Sequence, residues 1–270
     1  MVTSDREMST SFGRAAGAYE QGRPEYPSAA VTWMLAPAAR DGRAPRVADV
    51  GAGTGKLTRA LVELGAEVVA VDPDPEMLAA LRGAVRGVPT FTGTAEQLPL
   101  PEASVDAVVL GQAWHWVEPV AASAEVARVL RAGGVLGLIW NIRDESVPWV
   151  ARLTAIMQGS NAEKMLAAGD PPIAAPFTGL EAEEWRWSRP MTRASLTAMV
   201  RSRSYIITAG AEERARIDRE IAELFDDIEA VGDAAVELPY VTRAYRAVRP
   251  ERRIGRSVRR DGAGPRDPAT

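Results

Sequence analysis

A glycine-rich turn between an apolar strand and a helix is the feature that most constrains what this sequence can fold into. Residues 49–55 read Asp-Val-Gly-Ala-Gly-Thr-Gly. The run 46–50 has the composition of a buried strand, and residues 56–64 place leucines on one helical face. Such a turn lets the backbone approach a ligand closely, and the N-terminus of the following helix favours negative charge. The sequence therefore predicts a ligand site at the end of the first strand.

The spacing of the glycines distinguishes between kinds of nucleotide site. The pattern is G-x-G-x-G, and Lys56 stands where a dinucleotide-binding turn has its third glycine. That glycine packs the helix closely against the strand, so an NAD site is disfavoured. Asp72 follows the next apolar strand, where a carboxylate can accept hydrogen bonds from both hydroxyls of a ribose. The pattern indicates a different nucleoside ligand.

Strand and helix patterns alternate from residue 31 to residue 140, which predicts a parallel α/β sheet. The predicted strands are 46–50, 67–71, 90–92, 105–110 and 135–140. Asp74 and Pro75 begin one of the intervening helices, and Gly133-Gly134 is predicted to turn the chain into the fifth strand. From residue 144 prolines separate short helical pieces, as in an inserted cap. Residues 238–248 alternate like a terminal strand.

The composition excludes several kinds of chemistry. The chain has no cysteine, and His115 is its only histidine, so a thiolate nucleophile and a cysteine- or histidine-rich metal site are excluded, and we expect no metal. The first twenty residues do not resemble a signal peptide, and no apolar run is long enough to span a bilayer. We therefore expect a cytoplasmic protein with no membrane partner.

The net charge of −4 is unevenly distributed. Residues 249–270 carry seven arginines and three acidic residues, a net charge of +4, which leaves −8 on the rest. We expect this basic tail to be disordered. The acidic body argues against a nucleic-acid partner, so a small-molecule substrate is expected, and the oligomeric state stays open.

Several motifs together resemble those of the class I S-adenosylmethionine (SAM)-dependent methyltransferases. The turn at 49–55 resembles the first motif of that family. Residues 93–100, Gly-Thr-Ala-Glu-Gln-Leu-Pro-Leu, are similar to the segment that reads the adenine edge in small-molecule methyltransferases. Thr94 stands where the family usually has aspartate. We expect the backbone of Ala95 and the side chain of Glu96 to make that contact instead.

Further segments narrow the resemblance. Residues 112–116 (Gln-Ala-Trp-His-Trp) and 125–134 match family elements, with Ala132 in place of a proline. Residues 11–27 resemble the lid of methyltransferases related to trans-aconitate methyltransferase, and more closely an uncharacterised actinobacterial branch. Residues 140–145 and 202–205 fit that branch too, so the resemblance extends from residue 11 to about residue 248.

The resemblance implies a Rossmann-like α/β fold with a mostly parallel seven-stranded sheet and an antiparallel terminal strand. Residues 1–30 are predicted to form a helical lid and residues 31–248 the methyltransferase domain. A cap insertion after the fifth strand is predicted at about residues 144–184, and residues 249–270 form the tail.

The resemblance also implies SAM as the cofactor and assigns residues to it. The predicted cofactor-binding residues are Tyr19, Arg23, Asp49, Gly51, Ala52, Gly53, Gly55, Asp72, Pro73, Met77, Thr94, Ala95, Glu96 and Gln112. Arg23 is expected to pair with the carboxylate of the methionine part. The candidate substrate residues are Trp114, Trp116, Arg143, Arg203 and Tyr205.

The implied reaction is methyl transfer to a small molecule, with oxygen as the favoured acceptor atom and a carboxylate favoured over a hydroxyl. His115 is the candidate general base, because its ordinary pKa suits proton transfer near neutrality. A carboxylate acceptor would need no base. Two alternatives remain open: a SAM-binding protein with a non-methylating role such as cyclisation, and a SAM-sensing binding module.

Overall fold

The computed structural model describes residues 24–39, 42–157, 159–201, 206, 209–230 and 232–251. Its strands are β1 (Arg46–Val50), β2 (Glu67–Asp72), β3 (Thr90–Thr92), β4 (Val105–Gly111), β5 (Leu130–Arg143), β6 (Glu181–Thr192) and β7 (Ala235–Val248). Its helices are α1 (Ser28–Leu35), α2 (Lys56–Glu63), α3 (Pro75–Ala84), α4 (Pro119–Val129), α5 (Pro148–Ile156), α6 (Asn161–Ala168), α7 (Arg193–Arg201) and α8 (Ala211–Asp227). Short 3-10 helices cover Ala36–Ala38 and Trp114–Trp116.

The strands form one seven-stranded sheet in the order β3-β2-β1-β4-β5-β7-β6. Strands β1 to β5 pair in parallel, whereas β7 is antiparallel to β5 and to β6. Parallel neighbours need crossover connections, and α2, α3 and α4 supply three of them. The predicted Rossmann-like fold with an antiparallel terminal strand is confirmed.

The strand order reverses at β1, which pairs with β2 on one side and with β4 on the other. In open α/β sheets the ligand crevice lies at such a reversal, at the carboxyl ends of the strands. Here those ends are Val50 of β1 and Gly111 of β4. The glycine-rich turn therefore lies where the topology alone places a binding site.

Strand β5 is longer than predicted. The glycine pair at residues 133 and 134 was expected to precede the strand, but β5 already begins at Leu130. Its register against β4 jumps between the pairs Val105–Leu130 and Ala107–Val135. Gly133, with φ of +68°, lies in the extra residues. The glycine pair thus forms a bulge inside the strand.

The edge strand β6 was not among the strands read from the sequence. Its first four residues and most of its charged side chains are exposed, so it lacks a continuous apolar run. Only alternate residues from Trp185 to Met191 turn towards the protein. Twelve residue pairs with β7, from Glu181 to Thr192, define it as a strand.

Apolar clusters cover both faces of the sheet, and a further cluster forms beside it. One face packs against α4 and α6, including Val126 and Leu166. The other packs against α1 and α2, including Met34 and Leu61. The separate cluster joins α5, α7, α8 and the paired ends of β6 and β7, up to Tyr240. This cap core therefore draws on residues well beyond the predicted insertion at 144–184.

Within the described ranges, the helices are too short or too polar to cross a membrane.

Candidate active site

The glycine-rich turn after β1 depends on backbone conformations that favour glycine. Gly51, Gly53 and Gly55 have φ angles of +67°, +55° and +93°. The amide of Gly51 donates a hydrogen bond of 2.8 Å to the carbonyl of Val71 in β2. A Cβ atom on Gly51 would lie only 2.7 Å from the Cβ of Ala113. Glycine at this position lets the turn approach the loop after β4.

The turn forms one wall of a cleft at the carboxyl edge of the sheet. Pro24 and Tyr26 before α1 also line this cleft, as do Gly111, Gln112 and Asn141 at or near the ends of β4 and β5. Among the predicted cofactor residues, the cleft brings together Asp49, Gly51, Ala52, Gly53 and Gln112.

Asp49 supplies a buried carboxylate at this cleft. One oxygen, Oδ2, accepts a hydrogen bond of 2.6 Å from the hydroxyl of Thr58. The other, Oδ1, is buried and has no hydrogen-bond partner within the described residues. Burial raises the pKa of Asp49 to about 7 against the opposing effect of the Thr58 hydrogen bond, and the nearby charge of Asp72 adds to the rise. A donor on a bound cation would satisfy Oδ1 and offset the burial of the charge.

Asp72 at the end of β2 is anchored between two backbone segments. Its Oδ2 accepts from the amide of Gly53 at 2.8 Å, and its Oδ1 accepts from the amide of Asp74 at 2.9 Å. Burial raises the pKa of Asp72, and these two backbone hydrogen bonds oppose that rise. Each carboxylate oxygen keeps capacity for a second hydrogen bond. The side chain is therefore held rigidly beside the turn and can still accept from a ligand.

The residues predicted around an adenine ring lie in short loops after β2 and β3. Met77 is buried in the first turn of α3, and Pro73 is exposed. Ala95 is buried, and the backbone of Thr94 pairs with that of Gln97. One oxygen of Glu96 accepts from the amide of Glu118 at 2.8 Å, which ties this loop to the start of α4.

Gln112 has a backbone conformation that is unusual for a residue other than glycine. Its φ is +57°, in the left-handed region that non-glycine residues rarely adopt. Two hydrogen bonds hold it there: its amide donates to the carbonyl of Ile139 at 2.9 Å, and its Nε2 donates to the carbonyl of Asn141 at 2.8 Å. Such strain persists only where the surroundings fix it, and it often marks a functional position.

The aromatic residues after Gln112 have different environments. Trp114 is 1% exposed and donates its indole N–H to the carbonyl of Pro172 at 2.7 Å, which gives it a packing role in place of the predicted substrate contact. His115 lies with its ring centroid 4.8 Å from that of Trp116. The indole N–H of Trp140 donates to Nδ1 of His115 at 3.5 Å.

Arg143 does not line the cleft, although it was predicted to hold a substrate. Its side chain is 2% exposed and forms an ion pair of 2.7 Å with Glu163. Its Nε donates to the hydroxyl of Thr154 at 3.1 Å. Because protein groups already pair with the guanidinium, the structure gives Arg143 the task of joining β5 to α5 and α6. Four predicted site residues lie outside the described residues: Tyr19, Arg23, Arg203 and Tyr205.

Seven residues that line the cleft are not in the predicted cofactor set, among them Tyr26 of the predicted lid and the polar residues Lys56 and Asn141. Tyr26 lies so close to the end of β4 that a Cβ on Gly111 would be 2.7 Å from its hydroxyl. The ammonium of Lys56, at the start of α2, forms an ion pair of 2.8 Å with Glu25. The side chain of Asn141 donates to the carbonyl of Glu25 at 3.1 Å. The sequence signal for Tyr26 is the lid resemblance of residues 11–27. Lys56 and Asn141 are marked only by their positions, beside the glycine turn and near the end of β5.

Comparison with known proteins gives the family. A family model described as a methyltransferase domain matches residues 48–138. An uncharacterised methyltransferase of Mycobacterium tuberculosis is 47% identical over 253 residues, which cover 92% of this chain and 99% of the relative. An uncharacterised methyltransferase-like protein of Schizosaccharomyces pombe is 33% identical over 234 residues, or 84% of this chain and 91% of the relative.

The fold comparison agrees with the family. A solved structure from Anaeromyxobacter dehalogenans, assigned to the type II methyltransferases, covers 85% of this chain and 99% of its own, with a TM-score of 0.62 and 23% identity. The chain belongs to the methyltransferase family. The predicted methyltransferase family and enzyme class are therefore confirmed, whereas the resemblance to trans-aconitate methyltransferase stays a prediction. Across the described residues, no cluster of three or more His, Cys, Asp or Glu side chains could hold a metal ion.

Proposed function

We propose that this enzyme transfers the methyl group of SAM to an oxygen atom of a small molecule, with a carboxylate as the favoured acceptor. The observation that carries the proposal is the buried, unpartnered Oδ1 of Asp49 beside a glycine turn at the topological switch point. This oxygen suits the ammonium group of an amino-acid cofactor. SAM, the methyl donor of the family to which the chain belongs, combines such an ammonium with a nucleoside.

The residues of the cleft fit the parts of that cofactor. A Cβ on Gly53 would lie in open space, so its absence leaves room for close approach of a ligand to the backbone. Asp49 would accept from the ammonium, and Asp72 would accept from the ribose hydroxyls. Gln112 lines the cleft and would orient the amino-acid end.

The chemistry that SAM supplies when bound is an electrophilic methyl group on a cationic sulfonium. The protein's own contribution is therefore to position the two reactants and to keep water out. Tyr26 and Pro24 line the cleft, and hydrogen bonds hold Gln112 in the cleft and Asp72 beside the glycine turn.

The surroundings of His115 support a carboxylate acceptor over a hydroxyl. An indole N–H can only donate, so the contact from Trp140 at 3.5 Å fits a neutral His115 with a lone pair on Nδ1. In that form the proton is on Nε2, and the one ring lone pair that could remove a proton from an alcohol faces Trp140. A carboxylate is ionised near neutral pH and needs no such base.

Methyl transfer from labelled SAM tests the proposal. The purified protein is incubated with a panel of small carboxylic acids and with a matched panel of phenols and alcohols, and formation of S-adenosylhomocysteine is measured. We expect turnover with an acid and a base-labile methyl ester as product. Tight SAM binding without turnover on either panel or on a cell extract would favour the binding-module alternative. Turnover only on hydroxyl compounds would overturn the assignment of a carboxylate.

A further inference from the structure

A directed chain of hydrogen bonds connects the outer strands of the sheet to the cleft. The indole N–H of Trp187 in β6 donates to the hydroxyl of Thr242 in β7 at 2.9 Å. That hydroxyl donates to Oδ1 of Asn141 in β5 at 2.6 Å. The amide Nδ2 of Asn141 then donates to the carbonyl of Glu25 at 3.1 Å. Three neighbouring strands thus hold the segment 24–27, which precedes α1.

The groups at the two ends fix the direction of these hydrogen bonds. The Glu25 carbonyl can only accept, so the Asn141 amide turns its nitrogen to Glu25 and its oxygen to Thr242. The indole of Trp187 can only donate, so the hydroxyl of Thr242 accepts there and has its single proton left for Asn141. A reversed amide would place its oxygen against the Glu25 carbonyl, two acceptors with no proton between them. Trp187 is itself held by stacking on Tyr240, with ring centroids 5.0 Å apart.

Burial makes this chain a stronger restraint than the surface contacts of the same segment. Thr242 is fully buried and Asn141 is 8% exposed. The Glu25 side chain also pairs with Lys56 and Arg59, but it is 57% exposed, and exposed ion pairs contribute little. A buried network in a medium of low dielectric loses more when one member is removed.

We propose that Asn141 is a positioning residue for the cofactor cleft, and that Thr242 and Trp187 act through it. Its side chain holds the segment that carries Pro24 and Tyr26, and its backbone carbonyl holds the strained Gln112. Both groups line the cleft, whereas Thr242 and Trp187 do not. This inference rests on the proposed SAM site, because it says what orders that site before the cofactor binds.

The expected consequence is a change in affinity from a residue that does not line the cleft. If the segment 24–27 loses its anchor, a smaller fraction of the ligand-free protein has the cleft in its binding-competent form. The apparent affinity for SAM then falls by that fraction. A purely structural role would instead lower stability and leave the affinity unchanged.

Two substitutions at Thr242 separate these outcomes. Thr242→Val removes the hydroxyl at nearly constant volume, and Thr242→Ser keeps it. Thr154→Val is the matched control. It deletes a buried hydroxyl that accepts from Arg143 and takes no part in the hydrogen bonds from Trp187 to Glu25. SAM binding is measured by calorimetry. Amide hydrogen exchange is measured without ligand at Glu25 and Tyr26, the two residues of segment 24–27 that have an amide hydrogen. We expect Thr242→Val to weaken SAM binding by about tenfold and to speed exchange, because a buried hydrogen bond is lost. Thr242→Ser and Thr154→Val should keep wild-type affinity and exchange.

The result that would overturn the inference is a folded Thr242→Val protein with wild-type affinity and wild-type exchange at Glu25 and Tyr26. If that variant does not fold, Trp187→Phe keeps the stacking on Tyr240 and removes only the donor. It should weaken binding by about threefold and speed exchange, and an unchanged variant would equally contradict the inference. Failure of the wild-type protein to bind SAM would instead contradict the proposed function, and the exchange measurement would still test the anchor.

Discussion

Asp49 is the residue whose charge state most affects the cleft. Its pKa of about 7 in the ligand-free protein means that the carboxyl is largely protonated at pH 5.5 and largely ionised at pH 8. A cationic ligand binds the ionised form, so its binding releases a proton below pH 7. We expect the affinity for SAM to rise with pH up to about pH 7, by at most about tenfold per pH unit, and then to level off. Calorimetric titration of SAM between pH 5.5 and pH 8 checks this dependence. An affinity independent of pH would contradict the proposal that Asp49 binds the ammonium of SAM.

The same carboxyl has a predictable effect on stability. Because folding raises its pKa above the ordinary value of 3.8, its contribution to stability is greatest below pH 4 and is lost as pH rises towards 7. Asp49→Asn removes the buried charge and can still accept from Thr58. Its melting temperature should match the wild type below pH 4, where the carboxyl is protonated in both states, and should exceed it by at least about 2 °C at pH 8. Equal melting temperatures at pH 8 would show that the charge carries no penalty.

His115 provides a test of the acceptor class. His115→Gln cannot take up a proton near neutral pH but keeps a polar side chain of similar length. With a carboxylate acceptor we expect less than about tenfold loss of kcat and no histidine limb in the pH profile. General-base assistance would make the loss about 10²–10⁴-fold. A loss above a hundredfold with intact SAM affinity would reverse the argument made from the Trp140 hydrogen bond.

At the scale of structural elements, the segment 24–27 and the lid predicted for residues 1–30 can be tested separately. Deletion of residues 1–23 removes the predicted contacts of Tyr19 and Arg23, and deletion of residues 1–27 also removes Pro24 and Tyr26 from the cleft. We expect the longer deletion to weaken SAM binding at least about fivefold more than the shorter one, while both proteins keep a folded core. Equal affinities of the two deletion proteins would show that residues 24–27 contribute nothing to the cleft.

The elements that the sequence predicted well are those whose local signals agree with the tertiary structure. Asp74 caps α3 by accepting from the amide of Glu76, as the Asp-Pro pattern predicted, and Pro119 begins α4. The elements that it missed depend on partners distant in sequence. The exposed strand β6 is specified by β7 and by inward tryptophans such as Trp185, which meets Trp33 edge-on at 5.8 Å. The bulge in β5 is visible only from its register with β4.

The residues around the site divide in the same way, into those with a local sequence signal and those that depend on distant partners. The closeness of Asp72 to the glycine turn was predictable, because adjacent parallel strands end at the same edge of the sheet. The ion pair of Arg143 was not, because its partner Glu163 lies 20 residues later, on α6. Asn141 was missed because its importance comes from Thr242, 101 residues later in the chain, and from Glu25, 116 residues earlier. No local pattern encodes such pairings.

At the scale of the whole molecule, the proposed site depends on a single sheet. That sheet holds the Asp49 carboxylate proposed to bind a cation, the Asp72 carboxylate proposed to bind a ribose, and the segment 24–27. The turn after β1 brings Asp49, β2 brings Asp72, and β5 orders the segment before α1. The cap core formed by α5, α7 and α8 packs against residues of the strands β6 and β7.

The most direct test of this account is calorimetric titration of SAM into the wild-type protein and into Asp49→Asn at pH 8. The control is Asp106→Asn, which alters another largely buried aspartate, one that pairs with Arg43 and Arg131. We predict one SAM site per chain in the wild type and in Asp106→Asn, and at least about tenfold weaker binding in Asp49→Asn, because a charge-assisted hydrogen bond is lost. Absence of SAM binding to the wild type, or equal affinity in all three proteins, would contradict the assignment of the cleft.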